Sequence, residues 1–347
     1  MNDSDKNLAD EIPNDSNNPQ EKAITKSERR RAFWGGVLLA TLGGALFMLF
    51  DGYLILRHGY HPTLWGTYLT SQFIAIPIGM GILASYFWRK IELSRGAGYG
   101  GATCILVIGI SMSYLIMKEG IICLIMAAPL LLIFILLGVE IGKAIWKRTP
   151  WLGVSALPLL ILLIVTDASM PHHYSSTVKD QVLINAPPSA VWRYVAAYPA
   201  ITTPPTYWLW KIGLPVPLQS TAEGAFVGAR RDCRFTGNVT FEEKIATVKP
   251  FKELTFDVIR QPDHPEITGH FNLDRGQFLL HDNGDGTTTL TGTTWYRLHI
   301  YPAQYFDLWA TNVIRHVHFR VMDQVKFLAE RDALPNAQVA ASGEPRQ

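Results

Sequence analysis

Three cysteines in 347 residues are too few for a disulfide framework. Cys104 and Cys123 fall in apolar stretches and Cys233 stands apart from both, so all three read as structural thiols. Charge is scarce too. Only 17% of residues are charged, the net charge is +2, and no basic tract is interleaved with aromatics. That balance excludes a nucleic-acid-binding surface. The close histidine pairs, His172 with His173 and His316 with His318, lack the i, i+4 spacing of a helical metal site, so no metal and no cofactor is expected. No nucleophile-and-base arrangement is legible, and no catalytic residue is assigned.

What is present is unevenly distributed. Residues 1–31 are polar, rich in Asn, Asp and Ser, and carry too little apolar surface to offset the entropy of ordering, which predicts a disordered cytoplasmic tail. Residues 32–167 are overwhelmingly apolar. Five runs are set against the roughly 20 residues that cross a hydrocarbon core: Ala32 to about Leu56, about Tyr68 to Phe87, Tyr99 to Met117, Gly120 to Gly142, and the shortest, Trp151 to about Thr166. Asp51 and Glu140 sit near run ends, where carboxylates reach water or headgroups, so neither marks an ion path. Trp34, Trp65, Trp88, Trp146 and Trp151 also fall near run ends, as interfacial indoles do. Gly35-Gly36, Gly43-Gly44, and Gly79 with Gly81 read as close helix contacts.

Basic residues group on alternate connections. The KSERRR segment (26–31), Arg89, Lys90 and Arg95, then Lys143, Lys147 and Arg148 share one side, against Arg57 and Lys118 on the other. The positive-inside rule then puts the N-terminus in the cytoplasm. With five crossings, the C-terminal half emerges outside a bacterial inner or plasma membrane. With four, it stays inside.

Residues 168–175 read as a linker, 176–331 as a globular domain and 332–347 as a flexible tail. Val178–Ile184 is a strand that Pro187-Pro188 stops, since proline has no N–H for a ladder. The same prolines suit a helix start, and Val191, Trp192 and Val195 share a helical face. A second short helix is predicted near Tyr198–Ile201, then an irregular aromatic flap over 202–217. Strands follow at Ala225–Phe235, Val239–Val248, Glu253–Arg260, Ile267–His281 and Thr287–Ile300, with a hairpin signal at Asp282–Gly286. A long helix from Pro302 to about Arg331 closes the chain. Its apolar stripe includes Phe306, Val313, Val317, Val321 and Leu328. The fold class is therefore α+β, an antiparallel sheet wrapped on a long C-terminal helix, behind an all-α transmembrane bundle of about five helices.

The stretch VLINAPPSAVWRYV, residues 182–195, resembles the opening motif of the START-like, or SRPBCC, superfamily: an apolar strand, Ala-Pro, a spacer, then Val-Trp in the first helix. PAQYFDLWATNVIRHVHFRVMDQVKFLAE, at 302–330, resembles that superfamily's closing helix. The resemblance covers about 176–331 and implies a helix-grip fold with a hydrophobic tunnel. Members include lipid carriers, polyketide cyclases and dehydratases, and sensors of hydrophobic ligands. Joined to the apolar runs, which the usual soluble member lacks, it points to a membrane-anchored protein that binds a lipid, isoprenoid or polyketide-like molecule, with membrane lipids and a hydrophobic small molecule as partners. The alternatives are a cyclase/dehydratase-type enzyme and a membrane-coupled sensory or interaction module.

Pocket candidates come from the aromatics and from the few polar groups able to face inward. They are Tyr207, Trp208 and Trp210 in the flap, Trp295 on the last strand, and Tyr305 and Trp309 on the closing helix. Strand alternation sends Arg231, Cys233 and Phe235 one way and Arg230, Asp232 and Arg234 the other, so Arg231 is a candidate for a ligand headgroup. Glu243, His316 and Arg320 complete the set, with His299 and His318 as further polar groups. Residues 316 and 318 point to different helix faces. Trp295 and Tyr296 point to opposite sheet faces, so at most one of them lines a cavity.

Overall fold

The computed structural model describes residues 25–57, 70–89, 91, 93–148 and 173–342, with 158, 161–163 and 165–167 between the last two stretches. The N-terminal part is helical: α1 (Lys26–Arg57), α2 (Thr70–Phe73), α3 (Ala75–Trp88), α4 (Arg95–Met112) and α5 (Ile121–Arg148). Four helices among the described residues are long and apolar enough to cross a membrane: Lys26–Leu49, Thr70–Trp88, Arg95–Ile116 and Ile121–Trp146. Most of the fifth apolar run, with Trp151, and the tail 1–24 and Trp65 lie outside the described residues.

Helix α1 begins six residues before the apolar run does, because Thr25 and Glu28 form a reciprocal cap. The Thr25 N–H donates to Glu28 Oε2 at 2.9 Å, and the Glu28 N–H to Thr25 Oγ1 at 3.2 Å. Helices α3 and α5 meet at glycines. A Cβ on Gly81 would lie 2.3 Å from the Ile135 carbonyl oxygen, and one on Gly138 2.1 Å from that of Ile78. Trp88 departs from the interfacial reading. It is 3% exposed and donates its indole N–H to the Phe33 carbonyl at 3.1 Å, because its ring fills the junction of α1, α3 and α4.

The C-terminal part is a curled, seven-stranded antiparallel sheet in the order β1-β7-β6-β5-β4-β3-β2. The strands are β1 (Tyr174–Ile184), β2 (Pro217–Ala222), β3 (Arg230–Phe235), β4 (Thr240–Lys249), β5 (Glu253–Arg260), β6 (Phe271–Asp282) and β7 (Thr288–Leu298). Bulges in β2, β4 and β6 bend it. Between β1 and β2 lie α6 (Pro188–Val195) and α7 (Trp208–Lys211), and the long helix α8 (Ala303–Ser342) closes the chain. This is a helix-grip architecture.

Several elements differ from expectation. Tyr198 does not start a helix: it precedes Pro199, which disfavours helical backbone there, and it bridges instead to Ser220. The second short helix is α7, within the predicted flap. Strand β2, which begins at Pro217 where that stretch ends, was not expected; it forms the sheet edge beside β3. Strand β3 starts at Arg230 rather than Ala225, and β6 at Phe271 rather than Ile267, since residues 265–270 turn back on themselves. Helix α8 runs on to Ser342 rather than ending near Arg331.

The sheet's concave face is filled unevenly. At one end Ile184, Leu254, Phe278 and Leu290 pack on Val191 and Val195 of α6 and on Met322, Val325 and Leu328 of α8. Each such fully buried side chain is worth about 1.5–3 kcal/mol relative to exposure. At the other end, under the first half of α8, the same face is left partly empty.

Candidate functional site: an apolar cavity roofed by a helix of the bundle

The empty end of the grip is a cavity of about 180 Å³. Its walls are Phe241, Leu273 and Leu298 from the sheet and Trp309, Val313 and Val317 from α8. Its roof comes from the other half of the chain: Ile122, Cys123 and Met126, in the first turns of α5. A smaller cavity of about 90 Å³ continues deeper under the sheet and shares Phe235, Phe241, Leu273, Thr294, Val317 and His318 with the first.

Side chains of the grip hold α5 in place. Glu266, in the turn before β6, accepts the Ile122 and Cys123 N–H groups at 3.0 Å each. These are first-turn amides with no partner in their own helix, and a carboxylate there also opposes the positive end of the helix dipole. The Tyr305 hydroxyl donates to the Met126 carbonyl at 2.6 Å, and His270 lies 3.4 Å from Glu119. Phe73 stacks edge-on against Phe306, with ring centres 5.0 Å apart.

Two polar constellations stand in the otherwise apolar walls. In the deeper cavity Arg231 is 2% exposed and Glu243 5% exposed, and the two are in direct contact. The Arg231 Nε–H donates to the Ala196 carbonyl at 2.9 Å, and the guanidinium lies 4.3 Å from the Phe256 ring centre. Burial pushes the Glu243 carboxyl up from its usual range, and Arg231 offsets this only in part. Burial is the largest single influence on Arg231 and opposes its charge, but Glu243, with smaller contributions from Cys233 and Tyr198, reverses the balance and raises its pKa.

The second constellation spans both cavities. His318, on α8, has its Nδ1 2.9 Å from Asp180 Oδ2 and its Nε2 2.7 Å from Thr294 Oγ1. The other Asp180 oxygen pairs with Arg315 Nε at 2.9 Å. Burial lowers the His318 pKa below the usual imidazole value, against the pull of Asp180. Asp180 and Thr294 were absent from the sequence candidates. The available signal was an acid at an inward position of β1, between Val178 and Val182, and a hydroxyl at an inward position of β7, between Leu290 and Leu298.

The other candidates separate. Trp309, Arg231 and Glu243 line the cavities. Tyr207, Trp210, His316 and Arg320 form a different cluster, which clasps the 202–217 stretch to α8. Tyr207 stacks on His316 at 3.8 Å and donates to Asn312 Oδ1 at 2.7 Å, and burial raises its pKa to about 12. Arg320 donates to the Pro217 and Thr203 carbonyls and sits 5.4 Å from the Trp210 ring centre. They are absent from the walls because these side chains are already used to pin the segment. Tyr305 serves the α5 contact, and Trp208 is 48% exposed. Trp295 is on the convex face. Its neighbour Tyr296 points inward, fully buried, and bonds Asp307 at 2.7 Å. Among the described residues no group of three or more His, Cys, Asp or Glu side chains could hold a metal.

No protein-family model and no curated protein matches the sequence. Solved structures similar to it include norcoclaurine synthase from Thalictrum flavum in complex with dopamine and hydroxybenzaldehyde, at 12% identity and TM-score 0.31, covering 45% of this chain and 87% of that one. The Zhui aromatase/cyclase from Streptomyces sp. R1128 is similar at 16% identity and TM-score 0.31, covering 46% and 96%. Protein MLL2253 from Mesorhizobium loti is similar at 18% identity and TM-score 0.30, covering 45% and 98%. Each likeness falls on less than half of this chain.

Proposed function

We propose that this chain is an integral membrane protein that binds an apolar small molecule, of the lipid, isoprenoid or polyketide-like kind, in a START-like cavity held at the bilayer surface. One observation carries the reading: the roof of the cavity is the first turns of α5, a helix apolar enough to cross a membrane. A ligand leaving the bilayer along α5 would enter a space with few polar groups in its walls, which suits apolar cargo. The basic groups Arg89, Arg95 and Lys143 lie at the end of the bundle away from the grip, which supports a cytoplasmic N-terminus and an extracytoplasmic C-terminal domain.

Native mass spectrometry of the full chain released from its own membrane tests this. The expected result is a retained apolar mass that Val317→Trp, which fills the cavity, displaces. A chain that carries no such mass and takes up no added apolar probe overturns the reading. A second reading, a cyclase/dehydratase-type enzyme, draws on the ionisable groups in the walls. Chemical conversion of the bound compound, abolished in Glu243→Gln with binding retained, would establish it.

A further inference from the structure

We infer that Asp180, His318 and Thr294 form a hydrogen-bond-accepting site that selects an apolar ligand carrying a hydroxyl group. The inference rests on the cavity reading above and deepens it. Asp180 has both carboxylate oxygens engaged. Its Oδ1 is held by Arg315 Nε and its Oδ2 faces His318 Nδ1. A carboxylate only accepts, so Nδ1 carries the proton. Burial keeps the imidazole neutral, and a neutral imidazole has one N–H, so Nε2 is bare. At 2.7 Å from that bare nitrogen, Thr294 must spend its only O–H on His318. What Thr294 then offers the cavity is lone pairs alone.

Other charged or ring groups of the walls are each engaged elsewhere through at least one atom. Glu266 holds the α5 amides, His270 faces Glu119, and Arg231 is shared between Glu243 and the Ala196 carbonyl. A ligand hydroxyl donating to Thr294 Oγ1 satisfies both partners. A ketone or ether oxygen at the same place would set lone pair against lone pair in an apolar enclosure, and unmatched buried polar groups are strongly disfavoured.

The test uses the full chain in lipid nanodiscs and three probes of equal chain length: 1-dodecanol, 2-dodecanone and dodecane. The wild type is expected to bind the alcohol about 10-fold tighter than the ketone, a typical consequence of one mismatched buried hydrogen bond. Thr294→Val keeps the side-chain shape but leaves only the more distant His318 Nε2 as acceptor, so it should diminish that preference and leave dodecane binding within about twofold, since no polar atom touches an alkane. Asp180→Asn makes the sharper statement. Arg315 requires an acceptor at its side of the amide, which turns the NH₂ toward His318 Nδ1. The imidazole proton moves to Nε2, Thr294 then accepts from it, and its freed O–H points into the cavity. The preference should invert toward the ketone, an outcome that mere structural damage does not produce. Equal binding of alcohol and ketone by the wild type, or an undiminished alcohol preference in either variant, overturns the inference and leaves the cavity reading standing. Failure of all three probes to bind removes both.

Discussion

Arg231 and Glu243 show how a single residue's surroundings set its energetics. Both are buried, on neighbouring strands whose register places 231 opposite 243. Removing one charge strands the other, at a typical loss of about 3–5 kcal/mol, whereas replacing both by apolar residues is often neutral. Thermal or denaturant unfolding of Arg231→Met should therefore show a large loss, and Arg231→Met with Glu243→Leu should recover most of it. Strand alternation already put Arg231 inward. What it could not supply was the partner, because pairing depends on the register of two strands. His318 gives a pH signature at the same scale. The groups facing it are Asp180 from β1, Arg315 on its own helix and Thr294 from β7. Its folded pKa is depressed from the ordinary 6.5. Its contribution is therefore complete above about pH 6.5, where both states are neutral. As the pH falls below that value the unfolded imidazole takes up a proton that the folded one resists, and stability declines. His299 is depressed for the same reason, so the readout is a difference. Stability curves for the wild type and His318→Asn should diverge in slope below pH 6.5 and run parallel above it.

Among the elements, α5 matters most, since it serves the bundle and the cavity together. Its N-terminal amides are closed by Glu266, some 144 positions away in sequence. The approach requires Gly120, where a Cβ would lie 2.4 Å from the Glu266 carboxylate. Loss of a helix cap costs about 1 kcal/mol, or roughly a fivefold change in local opening. Hydrogen exchange at residues 122–126 should rise by about that factor in Glu266→Ala, with β6 and β7 unaffected. Gly120→Ala should push the carboxylate aside and do the same, and the double variant should be no worse than either alone. The helix itself was legible as an apolar run from Gly120. Its role as a roof was not, because nothing in a run of Ile, Leu and Met says which end meets another domain.

For the whole molecule, the question is how the chain returns from the far end of α5. The Trp146 indole bonds Ser85, near the end of α3 that bears Arg89. Asp167 accepts the Ser71 N–H at 2.6 Å, at the opposite end of the α2–α3 segment. The described residues 161–163 and 165–167 are helical. These two contacts lie at opposite ends of the bundle, which supports the proposed extracytoplasmic placement of the C-terminal domain. Protease added to intact cells should then cut the exposed Asp282–Gly286 hairpin turn, while in inverted vesicles the grip should be protected. The reverse pattern would place the grip in the cytoplasm.

By itself the sequence determined which stretches are apolar enough to enter a bilayer, and the order of strand, short helices, antiparallel strands and long helix. Those follow from local rules: hydrophobic period, proline at element ends, and turn residues at hairpins. It also made Arg231 a pocket candidate, because alternation along a strand is local too, while Glu243 entered only as one of the few polar groups available. Only the tertiary structure decided where the inward face is left unfilled, that α5 roofs the gap, and that Asp180 meets His318 across 138 positions. Those depend on sheet curvature and strand register, set by packing among distant segments, and a one-residue slip would turn each side chain to the other face.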